Sequence, residues 1–133
     1  MILVDTCVLI DIAQGDDLWA DWSATQLALW SGRGPVVITP TVFAEWSALF
    51  ADVTDVDLAV TRFGLTWQES SKAALFLASQ AHKQYRRRGG TRAMVLADFL
   101  IGAHAAVSRM PVLTRAPRRF QSYFTQLELV CPH

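Results

Sequence analysis

The sequence is poor in the features that mark several common classes of protein. Cys7 and Cys131 are its only cysteines. They are too few for the disulfide framework of a small secreted domain, so we expect free thiols in a reducing compartment. No apolar run reaches the roughly 18 residues of a membrane span, and Asp5 and Asp11 interrupt the apolar core that a signal peptide would need. These absences predict a soluble protein of the cytoplasm without a membrane partner.

The sequence also lacks an excess of charge of either sign, and it lacks two catalytic signatures. Twelve basic and twelve acidic residues cancel, which argues against a general nucleic-acid coat protein, although the second half holds most of the arginines. There is no glycine-rich phosphate loop, so a nucleotide cofactor is not expected. No serine or cysteine stands in a recognisable nucleophile elbow, so the sequence does not predict a hydrolase that works through a covalent intermediate.

Apolar side chains are abundant, in contrast. The hydrophobic fraction is 52%, and five Trp and seven Phe contribute to it. A chain of 133 residues has the length of one domain, which we place at 1–133. Since a domain of this size cannot easily hide so much apolar surface, we expect a dimer or a bound partner.

The first eleven residues, MILVDTCVLID, place an acid inside an apolar run. The run before Asp5 is short, which is typical of a strand buried on both faces, and Thr6 supplies a helix-start signal. A buried carboxylate without a partner is costly. We therefore predict Asp5 at the carboxyl end of a first strand, where open α/β sheets bind their ligands. The alternative is an aspartate that merely caps the following helix.

Short apolar strands alternate with helices along the rest of the chain. The predicted strands are 36–38, 65–67, 112–113 and 127–130. The predicted helices are 18–30, one that starts at Thr39-Pro40, 56–63, 70–88 and 94–107. This alternation predicts an α/β fold with a mostly parallel sheet and right-handed crossovers.

Two further acids interrupt apolar segments. Glu45 lies in TVFAEWSALF with Val42 and Leu49 on its own helical face, and Asp98 is the only acid in MVLADFLIGAHAAV. His104 follows Asp98 by six residues, about 240° round the helix, so the two should not share a face. We interpret His104 as a structural histidine with satisfied hydrogen bonds rather than a site residue.

Asp5, Glu45 and Asp98 can meet at one rim of a parallel sheet. Three carboxylates gathered there repel, at about 3 kcal/mol per pair for ~5 Å separation and an effective dielectric of about 20. A hard divalent cation removes that penalty, and oxygen ligands without a His or Cys cluster favour Mg²⁺ or Mn²⁺. This constellation predicts metal-assisted phosphodiester hydrolysis, in which the metal lowers the pKa of a bound water.

Four segments, VDTCVLID, the Glu of TVFAEW, LADFLIGAHA and LTRAPRRF, occur in an order that resembles the PIN-domain ribonucleases. Within that family the chain resembles the VapC-type toxins of toxin–antitoxin pairs over nearly its whole length. The resemblance implies a three-layer α/β sandwich around a mostly parallel sheet of about five strands. It also implies Mg²⁺- or Mn²⁺-dependent endoribonuclease activity on RNA, homodimerisation and inhibition by a cognate VapB-type antitoxin. For a groove that faces the antitoxin, our candidates are Trp30 and Trp46.

The resemblance also assigns roles to individual residues. It implies that Asp5, Glu45 and Asp98 are the first three acids of the family's catalytic, metal-binding set. Thr6 and Thr114 match hydroxyl positions beside the metal centre. The segment that resembles the basic, substrate-binding rim contains Arg115, Arg118 and Arg119. Arg86, in the run 86–88, is a further candidate for contact with the RNA backbone, although cations at a helix C-terminus also explain that run.

Ala116 departs from the family pattern. Similar sequences usually carry an acid there, as in T-R-D-P-R-R, and alanine removes a fourth oxygen donor. Two divalent ions and three carboxylates leave a residual charge of about +1, so one ion should bind less tightly and activity should be weak or absent. The sequence leaves open whether this alanine is natural or an engineered replacement. It also leaves open a second function, a non-catalytic module whose acidic pocket accepts basic residues of a protein partner.

Overall fold

The computed structural model describes residues 1–91 and 93–133, and its elements follow the predicted alternation. The strands in these residues are Ile2–Val4 (β1), Val36–Ile38 (β2), Leu65–Trp67 (β3), Val112–Leu113 (β4) and Leu129–Val130 (β5). The helices are Thr6–Gln14 (α1), Ala20–Ser31 (α2), Pro40–Ser47 (α3), Val53–Arg62 (α4), Lys72–Arg87 (α5), Leu96–Ser108 (α6) and Arg118–Gln121 (α7). The single turn α7 was not predicted, because one buried residue, Phe120, gives no periodic apolar pattern.

The five strands form one sheet in the order β3-β2-β1-β4-β5, and every neighbouring pair is parallel. β1 occupies the centre, and its three residues are all but inaccessible to solvent. This burial explains the purely apolar run before Asp5, because a central strand of a parallel sheet is covered on both faces. The predicted α/β fold with a parallel sheet is confirmed.

The strand order places a topological switch point between β1 and β4. From β1 the chain moves outward through β2 to β3, and it then crosses back past β1 to β4 and β5. Because such crossovers are right-handed, connections that run in opposite directions cover opposite faces of the sheet. Ligands of open α/β sheets bind at the carboxyl ends of the strands that flank such a point. Asp5 and Thr114 are the residues that leave β1 and β4 there.

His104 on α6 is a buried structural histidine, as predicted. Its Nε2–H donates to Oε1 of Gln68 at 2.7 Å, and its Nδ1 accepts from the hydroxyl of Ser70 at 2.8 Å. Both partners lie between β3 and α5, so the imidazole ties α6 to that connection. On the same helix, the ring of Phe124 lies so close to Gly102 that a Cβ there would collide with it.

Replacing His104 by glutamine should change how stability depends on pH. Burial lowers the pKa of His104 below its ordinary value of 6.5. The unfolded chain therefore takes up a proton first, and the free energy of unfolding contributed by this residue falls as the pH drops through 6.5 towards the folded-state pKa. We expect His104→Gln to remove that fall, measured by urea unfolding at a series of pH values. His133→Gln, at an exposed histidine, should retain it; if His104→Gln retains it as well, the assignment is wrong.

The two tryptophans that were candidates for an antitoxin-facing groove differ in their burial. Trp46 is wholly buried and packs edge-on against Phe50, with ring centroids 5.4 Å apart, so its assignment to an antitoxin-facing groove was wrong. Trp30 is half-buried beneath the guanidinium of Arg33, 4.9 Å from its ring centroid.

In the part of the chain that the structure describes, no helix combines the length and the apolarity that crossing a bilayer requires.

Candidate active site

Asp5 lies at the carboxyl end of β1 and is 1% exposed. Its Oδ2 accepts hydrogen bonds from the Thr114 hydroxyl at 2.8 Å and from the Cys7 thiol at 3.3 Å. Its Oδ1 is buried and has no hydrogen-bond partner among the described residues. Although Asp5 is the N-cap residue of α1, its side chain makes no capping bond, so the alternative of an aspartate that merely caps the helix is wrong.

Burial is the largest influence on the carboxyl group of Asp5. It raises the pKa above the ordinary value of 3.8, more than the bonds from Thr114 and Cys7 and the charge of Arg119 lower it. The negative charge of Asp98 raises that pKa further. A buried carboxylate with a free oxygen and a raised pKa is held by the fold in an unfavourable state, which is typical of a binding or catalytic site.

Glu45 reaches the same rim from α3, the helix that follows β2. Thr6, the first residue of α1, donates its hydroxyl to Oε1 of Glu45 at 2.7 Å and so orients the carboxylate. Burial raises the pKa of Glu45 above 4.5, and the negative charges of Asp5 and Asp98 raise it further, while the bond from Thr6 lowers it. The carboxylates of Asp5 and Glu45 therefore lie close enough to Asp98 to feel its charge.

Asp98 lies in the first turn of α6 and is 4% exposed. Its Oδ2 accepts from the backbone N–H of Val95 at 3.0 Å, so this acid also caps the start of the helix. Its Oδ1 lies 3.5 Å from Nη1 of Arg119, the guanidinium that α7 supplies. α6 runs back against the strand direction, and its first turn therefore lies at the same rim as Asp5.

The three acids form one charge cluster but not a finished ligand set. Within residues 1–91 and 93–133, no three His, Cys, Asp or Glu side chains are gathered tightly enough to hold a metal ion as they stand. The neighbours account for this, since Thr6 holds Glu45 while Val95 and Arg119 hold Asp98. The chemistry of the donors does fit Mg²⁺ or Mn²⁺, because all are oxygens and one of them, Oδ1 of Asp5, is buried without a partner.

Arg119 supplies the positive charge inside this cluster. Its charge lowers the pKa of both Asp5 and Glu45, besides making the ion pair with Asp98. The side chain is 40% exposed, so the guanidinium lies at the entrance of the site and not in the core. It offsets part of the repulsion between the acids.

Replacing Arg119 by glutamine should strengthen the binding of Mn²⁺. Because the guanidinium and a divalent cation are attracted by the same carboxylates, its loss should raise the affinity about two- to fivefold, the range expected of a partly exposed ion pair. Calorimetric titration measures this without RNA. Arg118→Gln is the matched control, since it removes the same charge from the exposed neighbouring position. Equal affinities for the two variants would contradict the competition.

Arg115 has a contact that the resemblance did not imply. Its Nε donates to Oδ2 of Asp11 at 2.6 Å, and the Ser23 hydroxyl donates to the same oxygen at 3.1 Å. The hydrogen bond that Arg115 donates to Asp11 raises the pKa of Arg115 above its usual range. This contact attaches the 114–119 segment to α1 and α2, while contact of Arg115 with RNA stays a prediction.

Cys7 and Asp11 are the site residues that sequence reasoning missed. Burial raises the pKa of the Cys7 thiol to about 12, and this thiol lies 3.7 Å from Oγ1 of Thr114 as well as bonding to Asp5. The structure has both cysteines as free thiols, as predicted. The spacing within VDTCVLID could have indicated both residues, because positions 7 and 11 lie four apart on α1 and share a face.

Ala116 is joined to the site through its backbone. Its N–H donates to Oγ1 of Thr114 at 2.9 Å, and the same hydroxyl donates to Asp5. A side chain at position 116 therefore starts two hydrogen bonds away from the buried carboxylate. Arg118 and Arg86, the remaining candidates for RNA contact, are exposed on α7 and at the end of α5.

Comparison with protein-family profiles and with curated proteins finds no match for this sequence. Comparison with solved structures finds full-length similarity to toxin–antitoxin complexes. VapBC2 from Rickettsia felis, solved with a promoter DNA fragment, is 18% identical, with 100% of both chains covered and a TM-score of 0.74. VapBC-1 from nontypeable Haemophilus influenzae is 15% identical, with 98% of each chain covered and a TM-score of 0.73. A complex from Klebsiella pneumoniae is 18% identical, with 100% of this chain and 98% of that chain covered and a TM-score of 0.72.

These similarities define the fold of the chain as that of the VapC PIN domain. The resemblance predicted from four short segments is thereby confirmed at the level of the fold. At identities of 15–18% over the whole length, the similarity lies in the fold and not in the sequence.

Proposed function

We propose that this protein is a Mg²⁺- or Mn²⁺-dependent endoribonuclease, the toxin of a toxin–antitoxin pair. The observation that carries the proposal is the carboxylate of Asp5, buried at the topological switch point. One of its oxygens has no partner among residues 1–91 and 93–133, and it lies in electrostatic contact with Glu45 and Asp98. Capping of α6 gives Asp98 a structural role, but no structural role within the described residues accounts for the gathering of all three acids at this rim. A divalent cation does account for them, because it offsets their repulsion.

Each residue of the site has a distinct part in this proposal. Asp5, Asp98 and Glu45 would hold the cation, which would supply Lewis-acid catalysis by lowering the pKa of water and offsetting charge on the phosphate. The hydroxyls of Thr114 and Thr6 orient the carboxylates of Asp5 and Glu45.

The basic residues of the rim would hold the substrate. Arg119 and Arg118 offer guanidinium groups to the RNA phosphates beside the acids, and a single-stranded loop of a structured RNA fits an open rim better than a duplex does. The guanidinium of Arg119, 3.5 Å from Oδ1 of Asp98 and 40% exposed, is placed where it could contact a phosphate at the entrance of the site.

The solved structures with a similar fold support an antitoxin as a partner. The similar structures are VapBC proteins and a toxin–antitoxin complex, so we propose a VapB-type antitoxin as the partner of this chain. We also propose that the chain forms a homodimer and acts in the cytoplasm. Exposed apolar residues leave surface for such contacts; Phe76 on α5 is 66% exposed and Leu18 before α2 is 75% exposed.

Two observations favour a second function, a non-catalytic module that binds basic residues of a partner. The acids already accept one guanidinium, that of Arg119, and position 116 lacks a carboxylate. An arginine from a partner could contact the same acids. In that case the acidic pocket would bind protein without cutting RNA.

Cleavage of a hairpin RNA by the purified protein distinguishes the two functions. We expect a product in Mn²⁺ that disappears with EDTA and that a parallel preparation of the Asp5→Asn variant does not make. Weak cleavage is expected of the chain itself, because of Ala116. If neither the parent nor a folded Ala116→Asp variant produces a chelator-sensitive product, the ribonuclease proposal fails and the binding module stands.

A further inference from the structure

The basic residues of the chain are concentrated in one stretch. Residues 1–69 hold ten of the twelve acids, whereas residues 70–97 contain no acid and six of the twelve basic residues. α5 accounts for most of that stretch, so its surface carries positive charge that no neighbour in sequence offsets. An uncompensated patch of this kind is the electrostatic footprint of a polyanion.

Three of these cations share one face of α5. Lys83, Arg86 and Arg87 are spaced by three and four residues and are exposed. In the described part of the chain, none of them has a carboxylate within 4.0 Å. The helix dipole favours Arg86 and Arg87 in the last turn, but Lys83 lies a full turn earlier and gains little from it. The helix dipole therefore does not explain why three mutually repelling cations lie together on this face.

The same three side chains line a hollow, which we call the basic trough. It has a volume of about 470 Å³ and is completed by Ser79 and His82. Arg88, the next residue of the run, does not line it and instead lies over the ring of Tyr123, 5.9 Å from the centroid.

The trough continues towards the acids. A second hollow of about 460 Å³ shares His82 and Arg86 with it and extends to Val95 and Leu96. These two apolar side chains are 50% and 45% exposed, and the N–H of Val95 bonds to Asp98. The two hollows therefore adjoin, and they lead from three cations, over exposed apolar groups, to the start of α6, the helix whose first turn carries Asp98.

We infer that the basic trough binds the backbone of single-stranded RNA on its way to the acids, an inference that rests on the proposed ribonuclease function. Phosphates contact Lys83, Arg86 and Arg87, and bases lie against Val95 and Leu96. A single strand offers both kinds of group along one edge, whereas a duplex keeps its bases stacked inside. This surface lies on α5 and the start of α6, whereas Arg118 and Arg119 belong to α7 and reach the site from there, where Arg119 contacts Asp98.

The test measures binding of an end-labelled single-stranded RNA by fluorescence anisotropy in EDTA, so that cleavage plays no part. The triple variant Lys83→Gln, Arg86→Gln, Arg87→Gln should lose about tenfold or more in affinity. The slope of log affinity against log salt should fall by about 2, since each phosphate contact on a single strand contributes about 0.7. The matched control, Arg33→Gln, Arg62→Gln, Lys72→Gln, removes the same charge outside the trough and should change neither quantity by as much. Thermal unfolding confirms that both variants are folded.

Two results would overturn the inference. One is equal RNA binding by the trough variant and its control. The other is binding of an acidic peptide or of duplex DNA to the parent as tightly as single-stranded RNA, which would make the trough a site for another polyanion. The proposed function fails separately: RNA binding through the trough with no cleavage by Ala116→Asp keeps the trough and removes the ribonuclease. If cleavage is chelator-sensitive but the trough variant binds RNA as tightly as the parent does, the ribonuclease proposal stands and the trough inference fails.

Discussion

Replacing Ala116 by aspartate is expected to raise Mn²⁺-dependent RNA cleavage about 100-fold, a change of roughly 3 kcal/mol in the activation free energy. The backbone N–H of residue 116 bonds to Thr114, which in turn bonds to Asp5. A carboxylate here therefore adds a fourth oxygen donor beside the buried acid. It also brings the negative charge of the site into balance with two divalent ions. Initial rates on a hairpin RNA, with and without EDTA, measure the effect.

Ala116→Asn is the matched control for this gain. Its side chain has the same size as that of aspartate and an oxygen for weak coordination, but it lacks the charge. We expect it to cleave at close to the parent rate. An aspartate variant that folds as the parent does and cleaves no faster would show that position 116 does not face the metal site. The match of LTRAPRRF to the family would then be wrong at this residue.

Asp5→Asn is expected to stabilise the protein in the absence of divalent cations, by about 1–3 kcal/mol at pH 7. The parent buries a carboxylate, one oxygen of which lacks a partner in the described part of the chain, and burial raises its pKa. An amide of the same shape carries no charge into the same surroundings. The variant should also lose cleavage altogether and lose the stabilisation by Mn²⁺, which for the parent is about 2.7 kcal/mol at 100 times the dissociation constant.

The pH dependence identifies the cause of that stabilisation. Because the folded-state pKa of Asp5 lies above its ordinary value of 3.8, the folded chain binds the proton more tightly than the unfolded chain does. The contribution of Asp5 to the free energy of unfolding therefore falls as the pH rises from 3.8 through the folded-state pKa, and it stays low above that. The advantage of Asp5→Asn should be small at low pH and should grow over the same interval.

Denaturant unfolding at a series of pH values, in EDTA, measures this advantage directly. Thr114→Val is an informative comparison, since it removes a hydrogen bond to Asp5 without removing the charge. That variant should be less stable than the parent, the opposite of Asp5→Asn. If Asp5→Asn is itself less stable at pH 7 without metal, the carboxylate of Asp5 serves the fold rather than a ligand, and the ribonuclease proposal loses its central residue.

Both predictions depend on the negative charge of Asp5, Glu45 and Asp98, which the chain's own basic residues offset only in part. Arg119 is the one guanidinium within ion-pair distance of these acids in the residues described, and it lies at the entrance of the site. It can offset one of three negative charges. The remaining charge is what a divalent cation, or a basic residue of a partner, would neutralise, and the two proposed functions differ in which of these binds.

Much of the fold could be predicted from local chemistry. The apolar run that ends at Asp5, the proline after Thr39 and the helical spacing of 70–88 each define an element by themselves. Boundaries moved by a few residues: the helix expected at 56–63 begins at Val53, because Asp52 accepts a bond from the N–H of Thr54 and caps it earlier. Such errors concern caps, which depend on single side-chain bonds.

The candidate site could be predicted only as a set of residue types in apolar settings. Asp5, Glu45 and Asp98 are conspicuous in the sequence because acids are costly where water is excluded. Their hydrogen-bond partners are not, since Thr114 and Asp5 are separated by 109 positions and Glu45 and Thr6 by 39. The resemblance to a family indicated both hydroxyls, but not which carboxylate each one contacts.

The sequence by itself determined the alternation of strands and helices and the acids that interrupt them, because apolar spacing, caps and turns act between residues a few positions apart. Only the tertiary structure decided that β1 lies at the centre with the switch point beside it, that Arg119 pairs with Asp98 and that Arg115 is held by Asp11. Those facts follow from strand order and packing, in which distant segments compete for the same partners. Patterns among neighbouring residues do not indicate which of these distant segments become partners.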